Sequence, residues 1–487
     1  MNNEIRVIEP SSLWNNFTNL NSVPRPSKKE EKVIDFLIQF AEKLNLNCFK
    51  DSIGNLIINK PSTDDMKNCK TIVLQSHVDM VHEKNNDVEF DFENSGINMH
   101  IEGDWVKAKG TTLGADNGLG VASIMSILQS TDISHPEIEA LFTIDEETGM
   151  TGALNLDEDV LKGEILLNLD TEEDDEICIG CAGGVDITIN KTYETEDNHP
   201  ESTFIKILVN GLTGGHSGAE IHKGLGNSNK ILNSLLKHLD SKYRVRISEI
   251  KGGNLRNAIP RESFSVIQIQ TKDYSEIDQE ITNFFNLNRI KYNDLDPNFN
   301  ISLSDAIGEY KPLNKDDHQK LIECLDACPN GVFLMSRTID NLVETSNNLA
   351  NIVVRDGSIS IKCLTRSSVE NSKSELSNLI SNIFKNKGFE VKLSGGYPGW
   401  EPNMNSDILS VAINCYKKLN NESPKVNVIH AGLECGIIGS HYPNMEMISF
   451  GPTILGAHSP DEKASISSTK KFWSFLIEIL KNIPKRD

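Results

Sequence analysis

Residues 71–79, TIVLQSHVD, decide the fold. The stretch 71–76 is a short apolar run with no polar face, which reads as a strand buried on both sides. Two further runs have the same character, IEALFTI at 138–144 and EILLNL at 164–169. Between them, NGLGVASIMSIL at 117–128 has the length and composition of a buried helix. Upstream, 28–45 places Val33, Ile34, Phe36, Leu37, Phe40, Ala41 and Leu44 at the 3.6-residue period of an amphipathic helix. Continuous apolar strands separated by helices predict an α/β layer, a sheet covered on both faces.

Further along, the pattern changes. The acidic stretch ETEDNHPE at 194–201 interrupts it. A strand at 204–209, a helix at 225–239, strands at 243–250 and 263–271 and a helix at 275–285 then give a β-α-β-β-α order. A weaker recurrence follows: a helix at 315–327, strands near 332–336 and 358–364, a helix at 368–386 and a strand at 389–393. NLRN at 254–257 and NLAN at 348–351 echo one another, each placed before a strand, which supports an internal duplication. After Gly395 the α/β character resumes. The expected organisation is one catalytic domain split between 1–184 and 397–487, with an α+β domain inserted at 185–396. The insert reads as two ferredoxin-like halves.

The 487 residues suit roughly two to three domains. A formal charge of −22 argues against nonspecific binding to nucleic acid or to an anionic membrane. The first residues lack the basic flank and apolar run of a signal peptide, and no stretch approaches the ~20 apolar residues of a membrane helix. Nine scattered cysteines, an odd count, read as reduced thiols in a cytoplasm. Cys178 and Cys181 have CxxC spacing, yet no second pair completes a four-ligand site, so buried small residues are the expected reading. The same holds for Cys324 and Cys328.

The chemistry sits where strands end. His77 and Asp79 follow the strand at 71–76 and, two apart, point the same way while the chain stays extended. Asp116 stands among small residues before a helix, Glu146 and Glu147 follow 138–144, and Asp170 follows 164–169. His458 comes much later, in a loop. Singly, Asp116 reads as a helix cap and the glutamates as solvated groups. Together, so many carboxylates repel one another unless a cation gathers them. Histidine and carboxylate donors without cysteine suit zinc, with cobalt or manganese as substitutes. Two ions would account for the number of ligands, with one carboxylate bridging and one glutamate left as general base.

Six stretches carry a family resemblance: SHVDMV (76–81), GTTLGADNGLGVA (110–122), IDEETGMTGA (144–153), NLDTEEDDEICIGCAGG (168–184), GGHSGAEIH (214–222) and GPTILGAHSPDE (451–462). In this order they resemble the zinc peptidase family of aminoacylases and carnosinases, and most of all its bacterial aminoacyl-histidine dipeptidase branch. The resemblance implies one zinc held by His77, Asp116 and Asp170, and a second held by Asp116, Glu147 and His458. It implies Glu146 as general base, Asp79 as the residue that orients His77, and a cis peptide after Asp116. The insert corresponds to the family's lid. There His216 resembles the histidine that contacts the substrate carbonyl, Arg366 is a candidate for the peptide carboxylate, and Asn257 and Glu434 are candidates for substrate contact. The metal already supplies a nucleophile, so Cys435 is not expected to be one.

The implied activity is hydrolysis of dipeptides, of Xaa-His type or broader. An aminoacylase or deacetylase acting on N-acyl amino acids is the alternative within the family, and a noncatalytic metal-binding scaffold the alternative outside it. The doubled insert suggests that its second half replaces a partner's lid, so that the chain works as a monomer, with a homodimer as the other option.

Overall fold

The computed structural model describes residues 3–337 and 339–486. The chain divides into two units, residues up to 180 with 400–428 and 433 onward, and residues 181–399 with 429–432. The return segment 429–432 was expected with the closing part of the catalytic domain; its contacts place it in the second unit. No helix among the described residues is long and apolar enough to cross a membrane.

The first unit is built on an eight-stranded mixed sheet. Its order is Asn47–Lys50, Leu56–Lys60, Ile138–Thr143, Ile72–His77, Ile165–Asn168, Glu446–Ser449, Glu176–Cys181 and Lys425–Ile429. Ile72–His77 runs parallel to both Ile138–Thr143 and Ile165–Asn168, with His77 opposite Thr143 and Gln75 opposite Asn168. All residues of these three strands are buried, as their continuous apolar runs predict. The helix Ala115–Gln129 is buried along nearly its whole length. Glu31–Lys43 instead buries one stripe, Val33, Ile34, Leu37 and Ala41, as its periodicity predicts. A small antiparallel sheet (Ile454–Leu455, Lys463–Ser465, Trp105–Ala108, Met99–Glu102) carries the loop that contains His458.

The second unit contains one nine-stranded antiparallel sheet. Ser202–Asn210, helix Ser228–Asp240, Arg246–Gly252, Ser263–Gln270, helix Tyr274–Tyr292 and Asn300–Asp305 form a β-α-β-β-α-β unit. Its strands lie in the spatial order fourth, first, third, second, which is ferredoxin-like. Gly183–Thr192, helix Lys315–Ala327, Val343–Arg355, Ser358–Ser367, helix Glu370–Lys385 and Glu390–Tyr397 repeat that order. The first half is therefore inserted between the opening strand and first helix of the second. The two halves of the sheet meet where Ile250, Lys251 and Gly252 pair with Val354, Val353 and Ile352.

One detail of the expected duplication is corrected. Asn254–Asn257 lie in a loop, whereas 348–351 lie inside the strand Val343–Arg355, so the echoed tetrads are not equivalent. They are instead partners. Asn348 Nδ2 donates to the carbonyls of Arg256 (3.0 Å) and Ala258 (2.8 Å), and Asn351 Nδ2 donates to those of Gly252 (3.2 Å) and Gly253 (2.6 Å). Buried asparagines are tolerated in a strand when backbone groups satisfy them.

Gly253 sits at this junction with φ +66°, and a Cβ there would lie 1.8 Å from the Ala350 carbonyl oxygen. Gly253→Ala is expected to lower stability by more than the roughly 1–2 kcal/mol of a left-handed alanine, because the backbone clash adds to it. Scanning calorimetry checks this, with a clear drop in unfolding temperature as the expected result.

Candidate metal centre

The parallel register brings three strand ends to one edge of the sheet, the position at which α/β sheets form sites. His77 ends its strand, Glu146 and Glu147 open a short turn of helix after Ile138–Thr143, and Asp170 lies two residues past Asn168. Asp116 reaches the same place from the first turn of the buried helix, where its own backbone (φ −81°, ψ 110°) is not helical and its bond to Asn117 is cis. His458 comes from the small sheet, with φ +63°.

Asp116 lies at the centre. Its Oδ1 is 3.1 Å from His77 Nε2, and its Oδ2 is 3.2 Å from His458 Nε2. His77 Nε2 is also 3.5 Å from Asp170 Oδ1, and His458 Nε2 is 3.0 Å from Glu147 Oε2. Potential ligand atoms of His77, Asp116 and Asp170 lie within 4.8 Å of one another, as do those of Asp116, Glu147 and His458, and those of His77, Glu146 and Glu147. The structure thus brings together all five expected ligands with Glu146.

Several neighbours hold these groups. Asp79, fully buried, lies with Oδ1 3.3 Å from His77 Nδ1, a close approach that lacks hydrogen-bond alignment. The two Asp79 oxygens also accept the backbone N–H groups of Glu146 (3.1 Å) and Glu147 (3.2 Å) and the Ser27 hydroxyl (2.7 Å). One carboxylate therefore ties the histidine's strand end to the glutamates' strand end. Glu30 accepts from Asp145 N (3.0 Å), which fixes the start of the same turn. Asn117 Nδ2 donates to Leu169 O (2.7 Å) and to the Asp170 carboxylate.

The residues fit a metal. Among the described residues no lysine or arginine ion pair neutralises Asp116, Glu147 or Asp170. Glu147 Oε1 is buried without a hydrogen-bond partner. Hydrogen bonds accepted by Asp116 and Glu147 drive the His458 imidazole up to about 11. Burial, with His77 partly opposing it, lifts Asp170 to about 6. Burial, reinforced by Asp170, Glu434 and Glu147 against the pull of His77, pushes Glu146 well above the usual carboxylate range. The pocket requires positive charge, and oxygen and imidazole donors suit zinc. Cys178 and Cys181 are buried in the strand Glu176–Cys181, as expected.

Glu434, expected at the substrate, is completely buried. Its Oε2 accepts from Gln75 Nε2 and Thr143 Oγ1, both at 2.7 Å, and burial raises its carboxyl to about 7. In this structure it links two central strands. The other three expected substrate residues belong to the second unit. His216 Nδ1 accepts the N–H of Ala219 (2.9 Å), which leaves the proton on Nε2. Asn257 is exposed, and its carbonyl accepts from Ser217 N (2.8 Å). Arg366, 5% exposed, donates from Nη1 to Tyr397 Oη (2.8 Å) and keeps Nε unpartnered. Arg366 Nε and His216 both lie against Gly218, each 3.1 Å from where its Cβ would be. Tyr397 and His430, whose Nε2 lies at hydrogen-bond distance from Ser346 Oγ (2.8 Å), carried no sequence signal.

Asp79→Ala is expected to weaken metal binding by roughly 10–100-fold, the usual cost of losing a residue that orients a ligand. Zinc titration of the full-length chain by calorimetry checks this, and unchanged affinity would remove Asp79 from the ligand scaffold.

The chain is similar in sequence and fold to known proteins. A family model described as Peptidase family M20/M25/M40 matches residues 73–482. The chain is 38% identical over 483 residues to a cytosol non-specific dipeptidase of Escherichia coli K12, covering 99% of this chain and 100% of the relative. The crystal structure of an aminoacylhistidine dipeptidase from Vibrio alginolyticus matches with a TM-score of 0.95 at 38% identity, over 99% of each chain. The aminopeptidase PepT of Bacillus cereus, 17% identical with a TM-score of 0.57 over 98% of this chain and 99% of its own, shares the fold.

Proposed function

Since the chain belongs to peptidase family M20/M25/M40, whose members are metallohydrolases, we propose that it hydrolyses dipeptides at a two-zinc centre. The observation that carries this reading is Asp116, whose two carboxylate oxygens face different histidines. His77, Asp116 and Asp170 would hold one ion, and Asp116, Glu147 and His458 the other, with cobalt or manganese as substitutes. The chemistry such ions supply when bound is polarisation of the scissile carbonyl and activation of a water.

The remaining work falls to the protein. Glu146, left over once the ligands are assigned, takes the proton from the attacking water and returns it to the departing amine. Its raised affinity for a proton, caused first by burial, suits a group that must hold one between the two steps. Asp79 keeps the His77 ring aimed, and through the N–H groups of Glu146 and Glu147 it keeps base and ligand in register. On the second unit, read as a lid, His216 presents an Nε2–H that can stabilise negative charge on the carbonyl oxygen. The unpartnered Nε of Arg366 is free to pair with a peptide carboxylate. Asn257 is exposed for substrate contact. A cytoplasmic setting belongs to this reading, supported by the cytosol-named relative.

Glu146→Gln is expected to keep both metals and to lower kcat by roughly 10²–10⁴-fold. Undiminished turnover would remove Glu146 from the chemistry. A panel of Xaa-His and other dipeptides, their C-terminal amides and N-acetyl amino acids tests the substrate class. Free dipeptides are expected to be cleaved best, and preference for the N-acetyl compounds would make the chain an aminoacylase.

A further inference from the structure

The expected ligands stand on separate loops, and two buried charges outside the ligand set bind three of those loops together. Arg25 is fully buried. Its Nη1 donates to the carbonyls of Val78 and Asp79, both at 3.1 Å, immediately after His77. Its Nη2 donates to Gly114 O (2.6 Å) and Asn21 Oδ1 (3.1 Å). Glu462, 2% exposed, approaches the same glycine from the other side. Its Oε2 accepts from Leu113 N (2.7 Å) and Gly114 N (2.9 Å), and its Oε1 accepts from Ala115 N (2.7 Å) and Asp116 N (3.3 Å).

Gly114 is thus held by its carbonyl and its N–H at once. Only glycine fits there, because φ is +70° and a Cβ would lie 2.5 Å from Arg25 Nη2. Four successive N–H groups converging on one carboxylate leave the chain ahead of Asp116 little freedom. Glu462 follows His458 by four residues, so its anchorage also fixes the end of the loop that carries His458. Burial draws the Arg25 guanidinium down to about 10, while Glu462, Asp79, Asp116 and Glu147 oppose that fall, so it stays charged at neutral pH.

We propose that Arg25 and Glu462 are positioning residues of the metal centre, Glu462 setting Asp116 against His458 and Arg25 setting the His77–Asp79 segment against the same Gly114. The assignment rests on the two-metal reading given above. Neither side chain belongs to the ligand set or to the expected substrate contacts. Their effect is to hold the ligand loops at binding distance before any ion arrives, which removes an ordering cost from metal binding.

The two residues grip different loops, and their variants should differ. Glu462→Gln replaces one acceptor oxygen with a donor facing N–H groups. It is expected to weaken the zinc held by Asp116, Glu147 and His458 by about 10–100-fold and the other zinc less. Arg25→Lys keeps the charge and loses the planar fork, and is expected to weaken both. The test is zinc titration of the metal-free full-length chain by calorimetry, with the visible absorption of the cobalt-loaded protein as a readout of ligand geometry and thermal unfolding of the metal-free protein as a control. Weakened zinc affinity with an altered cobalt spectrum in the folded variants is the expected result. Lower unfolding temperatures with wild-type zinc affinity and cobalt spectrum would show a merely structural role and overturn the inference. If Glu462→Gln does not fold, Glu462→Asp, which keeps the charge and shortens the reach, takes its place with a smaller loss expected. A wild-type chain that binds no zinc would overturn the two-metal reading itself, and this inference with it.

Discussion

Everything in the first unit depends on one electrostatic constraint. Asp116, Glu147 and Asp170 share a pocket with two imidazoles and, among the described residues, no lysine or arginine ion pair. Carboxylates at this spacing repel unless positive charge lies between them. The same carboxylates drive the His458 imidazole up to about 11 through the hydrogen bonds they accept from it. The sheet supplies the geometry: three parallel strands in register deliver their ends to one edge, and the buried helix behind Asp116 delivers the fourth group. Asp79 and Asn117 then convert strand ends into aimed side chains.

The second unit solves a different problem, that of joining two sheets into one. Helices of both halves pack across the seam, Ser228–Asp240 against Val343–Arg355 and Lys315–Ala327 against Arg246–Gly252, and the edge strands Arg246–Gly252 and Val343–Arg355 would be exposed in isolation. Pairing them removes both edges. Buried asparagines fix the register there, with Asn227 and Asn229 donating to Leu349 O and Asn348 and Asn351 donating to the facing loop. A polar network of this kind favours one alignment, since a slip of one residue would leave several amides unsatisfied.

The layout of the metal centre was legible in the sequence because it follows a simple rule. His77, Glu146, Glu147 and Asp170 come directly after apolar runs, and such runs are the most readable element of an α/β chain. The strand Val343–Arg355 was not legible as a whole. Its first half, VETSNN, has no apolar alternation, and its polar side chains are buried against partners distant in sequence. The opening strand of the second ferredoxin-like half escaped for a related reason, since Gly183–Thr192 is separated from its helix by the entire first half. The burial of Glu434 could not be read either, because it depends on Gln75 and Thr143, which meet only in the folded sheet. Arg25 carried no pattern, and Glu462 only its nearness to His458.

On the proposed reading, Asp116 lies between two ions. Anomalous diffraction at the zinc absorption edge, from crystals of the full-length chain grown with zinc, tests it most directly. Two peaks flanking the Asp116 carboxylate are expected, one beside His77 and Asp170 and the other beside Glu147 and His458. A single peak, or peaks that leave Asp116 unliganded, would contradict it.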